Sequence, residues 1–348
     1  MGLTMRAVLL TGHGGPEKLE YRENVPVPEP QHGEVLVRVG AAGVNSTDIL
    51  TREGGYGQGS DPESASGWRS EPMQFPRIQG IDIVGRITSV GPGVDLERIG
   101  QRVLVDPAIY TSEDPGLSGM EVIGSERNGG FAEYVAVPSV NAHAIHSRLS
   151  DPELATFPCA YGTGERMLNI ASLAEGETIL VTGASGGVGS GLLQLARARG
   201  AKVIALTGSG KEDRATALGV ERVVTREPRS GSLIDALGRQ SVDVVADVVG
   251  GALLPDLLAV LKPEGRYVVA GSIAGPMVQM DLRLVYLNLL QMFGSSMWRP
   301  AEFKTLLGYI ETGKVRPLLA QTYGLADINK AQEDFKQKDF FGKLVLVP

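Results

Sequence analysis

The chain has 348 residues, which is enough for two domains with separate hydrophobic cores. Hydrophobic residues make up 43% of it and charged residues 21%, as in a globular protein, and no segment reaches the run of about eighteen apolar residues that a membrane helix needs. Lysines and arginines are scattered and the net charge is −7, so nucleic acid is disfavoured as a partner.

The N-terminal part of the chain predicts a β-rich, barrel-like domain. Its first residues, MGLTMRAVLL, lack the basic segment and long apolar run of a secretory signal. Val35, Val37 and Val39 alternate with other residues, as in a strand with one buried face. Two stretches rich in glycine, serine and proline, 53–77 and 106–128, are predicted to be long loops. We predict strands at 5–10, 34–42, 83–91, 101–105 and 131–137.

From about residue 150 the pattern changes to alternating strands and helices. Apolar runs with little alternation, which are typical of buried parallel strands, occupy residues 178–182, 202–207, 242–249 and 266–272. Helices are predicted at 188–200, 252–261 and 300–312, and a last apolar strand, KLVLVP, ends the chain. The alternation indicates βαβ units around a doubly wound parallel sheet, so the fold class is α/β.

A glycine-rich turn, TILVTGASGGVGSG at 178–191, joins the first of these strands to a helix. Missing side chains let backbone N–H groups approach a pyrophosphate, and the positive end of the helix favours that anion. The strict G-x-G-x-x-G spacing is not met, because residue 192 is leucine. We predict a dinucleotide site at Ser185, Gly186, Gly187 and Val188; the alternative is a close-packed turn that binds no ligand.

The end of the second parallel strand indicates which dinucleotide binds. Sites for NAD place a carboxylate there, on the ribose hydroxyls, whereas this strand ends in Leu-Thr-Gly-Ser. Hydroxyl and cationic side chains that suit a 2′-phosphate lie close by in sequence, at Thr207, Ser209, Lys211, Arg214 and Arg226. We infer NADP(H); the alternative is that the cations form a solvated helix face.

Six motifs in order make the chain similar to a known family. They are AAGVNSTDIL, QGIDIVGRITSVG, GGFAEYVAVP, VTGASGGVGS, VDVVADVVGG and GKLVLVP. Together they resemble the medium-chain dehydrogenase/reductase superfamily, and within it the zinc-independent quinone oxidoreductase-like branch. The resemblance implies a GroES-like catalytic domain built from 1–146 and 290–348, a Rossmann NADP-binding domain at 147–289, and an active site in the cleft between them. It also implies a homodimer formed through sheet edges.

Zinc-dependent members of this family hold their catalytic metal with three ligands, and the sequence departs from that pattern. The cysteine and histidine positions carry Asn45 and Ile81, the latter within Gly80–Ile81–Asp82, and the third position is Cys159. One thiol does not replace three protein ligands, so no zinc is expected and Cys159 is interpreted as a small buried residue. A single cysteine also excludes an internal disulfide and favours the cytoplasm.

Without a metal to polarise an alcohol, the expected substrate is an acceptor that is already electrophilic. The sequence therefore predicts an NADPH-dependent enzyme that reduces quinones or α,β-unsaturated carbonyl compounds. One alternative is an alcohol or aldehyde dehydrogenase of the same superfamily. Another is a non-catalytic NADPH-binding protein that acts as a redox sensor or binds a partner protein.

The resemblance also implies roles for individual residues. Asn45 would lie near the nicotinamide and bond the cofactor or the substrate carbonyl, and Thr47 matches a proton-relay hydroxyl. Asp48 is either a structural acceptor or a catalytic group. Tyr56, Tyr110 and Tyr161 are candidate proton donors or walls of the substrate pocket. The expected lining of the nicotinamide comprises Thr163, Val249, Gly271, Ser272, Ile273, Phe293, Gly294 and Ser295.

Overall fold

The computed structural model describes residues 2–56, 73–110, 120–226 and 233–348. These residues form two compact units, each taken separately below. The first runs to Cys159 and also contains Pro317–Asp339 and Lys343–Pro348, while the second contains Ala160–Arg316 and Phe340–Gly342. Both ends of the chain therefore lie in the first unit, and the borders fall later in the sequence than residues 146 and 290.

The elements are numbered in chain order. The strands are β1 (Thr4–Leu10), β2 (Leu19–Pro26), β3 (Glu34–Gly43), β4 (Asp82–Val90), β5 (Arg102–Val105), β6 (Ala108–Tyr110), β7 (Met120–Val122), β8 (Tyr134–Pro138), β9 (Ala142–Ala144), β10 (Thr178–Val181), β11 (Lys202–Thr207), β12 (Arg222–Thr225), β13 (Val242–Asp247), β14 (Leu261–Val269), β15 (Gln291–Gly294), β16 (Leu319–Gly324) and β17 (Lys343–Val347). The helices are α1 (Ser46–Arg52), α2 (Asp151–Leu154), α3 (Pro158–Ile170), α4 (Gly187–Ala198), α5 (Glu212–Thr216), α6 (Leu233–Leu237), α7 (Leu254–Val260), α8 (Leu282–Leu287), α9 (Pro300–Glu311) and α10 (Ile328–Gln337).

The first unit is β-rich, as the sequence predicts. Its main sheet has the order β16-β17-β3-β4-β5-β9, and β8 also pairs with β3. Strand β3 is central because it pairs with β17, β4 and β8. Val35, Val37 and Val39 are buried while Arg38 is exposed, as the alternation predicts. The final strand β17 pairs antiparallel with β3, which ties the last residues of the chain to this sheet.

The second predicted loop of this unit contains strands. Within 106–128, β6 and β7 pair as an antiparallel ribbon, although residues 111–119 between them lie outside the described part of the chain. These strands have three residues each, too few to show an alternating pattern in sequence. Most of the other predicted loop, residues 57–72, also lies outside the described ranges.

The second unit is built on a parallel sheet with the order β12-β11-β10-β13-β14-β15. Strands β10 and β13 are buried on both faces, which explains their unbroken apolar sequence. Chain order reverses between β10 and β13, so this is the switch point at which open α/β sheets bind ligands. Because β15 pairs with β14, residues 291–294 belong to this sheet rather than to the first unit.

The predicted fold class is confirmed: an α/β Rossmann unit accompanies a β-rich GroES-like unit. The edge strands β12 and β15 are not evident from sequence, since each has four residues and is only partly buried. None of the helices in the described ranges is long and apolar enough to cross a bilayer.

Candidate functional site

The glycine turn after β10 leads the chain into α4 at the carboxyl edge of the parallel sheet. Gly183 has φ +57°, a left-handed conformation that favours glycine. A Cβ on Gly189 would lie 2.1 Å from the Gly183 carbonyl oxygen, so only glycine permits this approach of helix and turn. Gly186 is exposed, and a Cβ there would lie 3.5 Å from the Gly183 carbonyl oxygen, an ordinary van der Waals contact. The predicted residues from Ser185 to Val188 therefore form an open turn at the N-terminus of α4.

Beside this turn, the end of β11 carries a hydroxyl that lacks a partner. Thr207 is 3% exposed, and its Oγ1 has no hydrogen-bond partner. The Arg226 backbone N–H donates to the Thr207 carbonyl oxygen at 2.8 Å, which places the end of β12 at the same edge. Side chains added at Gly208 or Gly210 would meet open space. The predicted phosphate-binding residues gather around this edge, with Ser209, Arg214 and Arg226 exposed and Lys211 half-buried.

The segments that follow β13 and β14 complete the edge. The Ala274 N–H donates to the Val249 carbonyl oxygen at 2.9 Å, and this bond joins the predicted segment 271–273 to Val249. A Cβ on Gly271 would lie 2.8 Å from the Val248 carbonyl oxygen. Next to them, the Ser295 N–H donates to the Val269 carbonyl oxygen at 2.8 Å. The predicted nicotinamide-lining residues after β13, β14 and β15 thus share one edge.

Two predicted residues lie on α3, and one of them has a different role from the expected one. Tyr161 is buried; its hydroxyl donates to the Arg316 carbonyl oxygen at 3.0 Å and accepts from Gln194 Nε2 at 2.7 Å. Burial raises the pKa of this phenol, which makes it a poorer acid. Because its hydroxyl is buried and already bonded to Arg316 and Gln194, Tyr161 is a packing residue and not a proton donor. Thr163 on the same helix is half-buried.

In the first unit, Asn45, Asp82 and Lys343 form a buried polar cluster. Lys343 Nζ donates to Asp82 Oδ2 at 2.8 Å and also to Asn45 Oδ1. Asn45 Nδ2 donates to Asp82 Oδ2 at 2.9 Å and to the Gly43 carbonyl oxygen at 3.3 Å. Both amide hydrogens of Asn45 are thus used inside the protein, so it supports the site instead of bonding a cofactor or substrate directly.

Lys343 is the member of this cluster that the sequence analysis misses. It is 3% exposed, and its ammonium also donates to the Val44 carbonyl oxygen at 3.0 Å. The terminal motif GKLVLVP contains it, but only the pairing of β17 with β3 brings it beside Asn45. The signal that the sequence offers is a lysine at the start of an apolar strand, since lysine is rarely buried without a partner.

Asp48 joins this cluster from α1. It is buried, and its Oδ2 accepts the Asn45 backbone N–H at 2.7 Å as part of a capping box at the start of the helix. Burial raises the pKa of Asp48 from 3.8 to about 7; the Asp82 carboxylate adds to the rise and the Lys343 ammonium opposes it. Of the two roles left open by the sequence, the geometry supports the structural acceptor.

Thr47 and Tyr56 form a pair of hydroxyl groups next to the cluster. Their side chains are hydrogen-bonded to each other, and both residues are half-buried. Burial raises the pKa of Tyr56 to about 12, and the nearby Cys159 and Asp48 act in the same direction. The structure therefore brings together two of the predicted catalytic residues, while Tyr110, at the end of β6, is half-buried in another part of this unit.

The three positions that hold zinc in related enzymes do not fit that metal here. Ile81 is apolar and 4% exposed, and Asn45 Oδ1 accepts a hydrogen bond from an ammonium group. Cys159 is half-buried, more exposed than expected, and its backbone N–H donates to Asp82 Oδ1 at 2.6 Å. Across the described ranges, no three His, Cys, Asp or Glu side chains group as metal ligands would.

Comparison with known proteins gives the chain a family. Residues 31–147 match the alcohol dehydrogenase GroES-like domain, and residues 187–312 match the zinc-binding dehydrogenase model. A solved structure of a putative alcohol dehydrogenase from Sinorhizobium meliloti 1021 is 55% identical with a TM-score of 0.95, covering 100% of this chain and 98% of its own.

Among its relatives, an acryloyl-coenzyme A reductase of Metallosphaera sedula is 32% identical over 98% of this chain and 99% of its own length. An NAD-dependent alcohol dehydrogenase of Sulfurisphaera tokodaii is 30% identical over 99% and 100%. A quinone oxidoreductase of Lama guanicoe is 28% identical over 99% and 97%. The chain therefore belongs to the medium-chain dehydrogenase/reductase superfamily, a family of oxidoreductases that bind nicotinamide cofactors.

Proposed function

We propose that this protein is an NADPH-dependent reductase of quinones or α,β-unsaturated carbonyl compounds that works without catalytic zinc. The observation that carries the proposal is the state of the zinc-ligand positions: Ile81 cannot coordinate a metal, and Asn45 is held by Asp82 and Lys343. A site with this donor set does not polarise an alcohol for oxidation. It suits acceptors whose conjugation already makes them electrophilic.

The preference for NADPH rests on the end of β11. No carboxylate occurs between residues 207 and 211, at the strand end where Rossmann units that bind NAD place one. Ser209, Lys211 and Arg226 supply the hydroxyl and charge that a 2′-phosphate needs. When bound, the nicotinamide supplies a hydride, and the protein's part is to orient it and to exclude competing reactions.

Tyr56 is the residue we assign to proton delivery, with Thr47 holding its hydroxyl in place. A phenol with a pKa of about 12 keeps its proton throughout the neutral range. It is acidic enough to protonate the carbanion-like carbon that forms when an activated alkene accepts hydride. Thr47 restricts the Tyr56 hydroxyl through their hydrogen bond.

Two other functions compete with this proposal. The first is alcohol oxidation, which the similarity to alcohol dehydrogenases favours. The relative named for acryloyl-coenzyme A instead supports the proposed reduction of an activated alkene. The second competitor is NADPH binding without turnover, as in a redox sensor. Only the activated-alkene or quinone reaction agrees with both the donor set at Asn45 and the hydroxyl pair at Tyr56.

The experiment is an NADPH oxidation assay with a panel of quinones, enones, enoyl thioesters and aldehydes, repeated after treatment with a chelator. We expect turnover with quinones or activated alkenes that the chelator leaves unchanged. Loss of activity on chelation, together with stoichiometric zinc in the purified protein, would support the alcohol dehydrogenase. Tight NADPH binding without turnover on any acceptor would support the sensor.

We also propose that two copies pair through the β15 edge of the parallel sheet. Exposed apolar side chains cluster around this edge: Leu282, Tyr286, Leu287, Leu289 and Met292. A strand edge can pair antiparallel with its own copy about a twofold axis, which also covers the apolar side chains. Light scattering should give twice the chain mass for the native protein and the single-chain mass for Leu287→Asp; a monomeric native protein would refute the pairing.

A further inference from the structure

Asp247 is a buried carboxylate at the centre of the parallel sheet. It is the last residue of β13 and is fully buried. In the part of the chain described, its contacts are hydroxyl and backbone N–H donors rather than a cation. Burial of an unpaired charge costs free energy unless hydrogen bonds compensate for it, so this arrangement needs an explanation.

Four groups donate to this carboxylate. The Thr182 hydroxyl donates to Oδ1 at 2.5 Å and the Tyr267 hydroxyl donates to Oδ2 at 2.7 Å. The Val249 N–H donates to Oδ1 at 2.9 Å, and the Gly250 N–H lies 3.2 Å from both oxygens. Burial and the carboxylate raise the pKa of Tyr267, so its phenol stays protonated and keeps donating.

These donors come from three neighbouring strands at the switch point. Thr182 directly follows β10, Tyr267 lies on β14, and Asp247 ends β13 between them. Thr182 Oγ1 also accepts the Val248 N–H at 3.0 Å, so the hydroxyl and the carboxylate together hold the first residues after β13. The network therefore fixes the backbone at the point where ligands bind in this class of sheet.

The residues held in this way touch the other two cofactor-lining segments. A Cβ on Gly183 would lie 2.9 Å from a methyl carbon of Val248 and 3.1 Å from one of Val249, so both side chains pack against the glycine turn. The Val249 carbonyl oxygen accepts the Ala274 N–H, which fixes the segment after β14. Asp247 therefore acts on the glycine turn, on the residues after β13 and on the segment after β14, through the backbone at Val249 and Gly250 that it hydrogen-bonds.

We propose that Thr182, Asp247 and Tyr267 are positioning residues that set the affinity of this edge for its dinucleotide. The inference rests on the proposed binding of a nicotinamide dinucleotide here, and it assigns the network no contact with the reacting atoms. If the network were merely structural, substitutions in it would change only the stability of the unit. A positioning network changes the affinity for NADPH while the rate at saturation is preserved.

The test compares Tyr267→Phe with Tyr323→Phe in the full-length protein. Tyr323 lies in the first unit and donates to Asp334 Oδ2 at 2.8 Å, so its substitution removes the same kind of bond away from the nucleotide edge. We expect Tyr267→Phe to raise the Kd and KM for NADPH about five- to tenfold, with kcat within about twofold of the native value. Tyr323→Phe should leave both constants unchanged.

Thr182 provides a second arm that does not depend on the tyrosine. Thr182→Val should weaken NADPH binding to a similar extent, and Thr182→Ser, which keeps the hydroxyl, should restore it. Lower thermal stability of Tyr267→Phe and Thr182→Val with an unchanged Kd for NADPH would overturn the inference. If the native protein binds NADPH but reduces none of the acceptors, the proposed reaction fails, and the Kd comparison still decides the role of the network.

Discussion

The nucleotide edge of the second unit and the polar cluster of the first unit differ in how their polar groups are satisfied. At the edge, the Thr207 hydroxyl has no partner and glycines leave the backbone open. In the cluster, Asn45, Asp82 and Lys343 use one another, so little hydrogen-bonding capacity is left for a ligand. The edge therefore keeps polar groups without protein partners, whereas Asn45, Asp82 and Lys343 satisfy one another.

This difference separates binding from support within the same protein. The edge is open to a ligand, and Asp247 fixes its backbone by accepting the Val249 and Gly250 N–H groups. The polar groups of the cluster bond one another. Through Asn45 and Asp48 the cluster also fixes the start of α1, which carries Thr47, the hydrogen-bond partner of Tyr56. Substitutions in the cluster should therefore change stability, whereas substitutions at the edge or at Tyr56 should change binding or rate.

The largest effect is expected from Lys343→Met. It leaves the fully buried Asp82 carboxylate without its counter-charge, so the free energy of unfolding should fall by about 3–5 kcal/mol, as measured by urea denaturation. The matched control is Lys262→Met, which removes an ion pair with Asp243 at the surface and should cost less than about 1 kcal/mol. Equal losses for the two variants would show that the polar groups of the cluster do not bond one another in the way described.

Tyr56→Phe tests the hydroxyl pair beside the cluster. Loss of the proton donor should lower kcat for acceptor reduction by about 100-fold while the Kd for NADPH is unchanged. Tyr21→Phe, which removes an exposed hydroxyl from the same unit, should have no effect on either constant. An unchanged kcat in Tyr56→Phe would assign the proton to another group, such as water.

At the nucleotide edge, Lys211→Ala should weaken NADPH binding about tenfold and change the affinity for NADH little, because only NADPH carries the 2′-phosphate. Isothermal titration with both nucleotides measures the two affinities. Lys202→Ala, at the opposite end of β11, is the control and should change neither. Equal losses for NADPH and NADH in Lys211→Ala would argue against the phosphate contact.

A further expected effect is the pH dependence that Asp48 adds to stability. Its pKa in the folded protein, about 7, lies above the ordinary 3.8, so the folded state keeps a proton that the unfolded chain releases. Stability should therefore fall as the pH rises from about 4 to about 7, by less than about 1.4 kcal/mol for each pH unit, and level off above that range.

Asp48→Asn should flatten this slope, because the amide does not titrate. Asp213→Asn, at an exposed position on α5, is the control and should keep the slope. The measurement is the free energy of unfolding at several pH values between 4 and 8. A slope that persists in Asp48→Asn would assign the titration to another buried group.

The sequence by itself determined the second unit better than the first. Parallel strands that are buried on both faces need continuous apolar runs, and a pyrophosphate-binding turn needs glycine, so β10, β11 and β13 and the turn at 183–189 could be predicted. These are local requirements, each met within about ten residues of chain. The positions that lack zinc ligands, Asn45 and Ile81, were likewise visible as residue types.

Only the tertiary structure decided what those residue types do. Asn45 was expected to bond a ligand, but Lys343, almost three hundred residues later in the chain, uses its carbonyl oxygen. The sequence makes Tyr161 a candidate proton donor, but its hydroxyl is bonded to Gln194 and to the Arg316 carbonyl oxygen. The physical reason is that hydrogen-bond partners and burial depend on contacts between distant segments, which a local pattern does not encode.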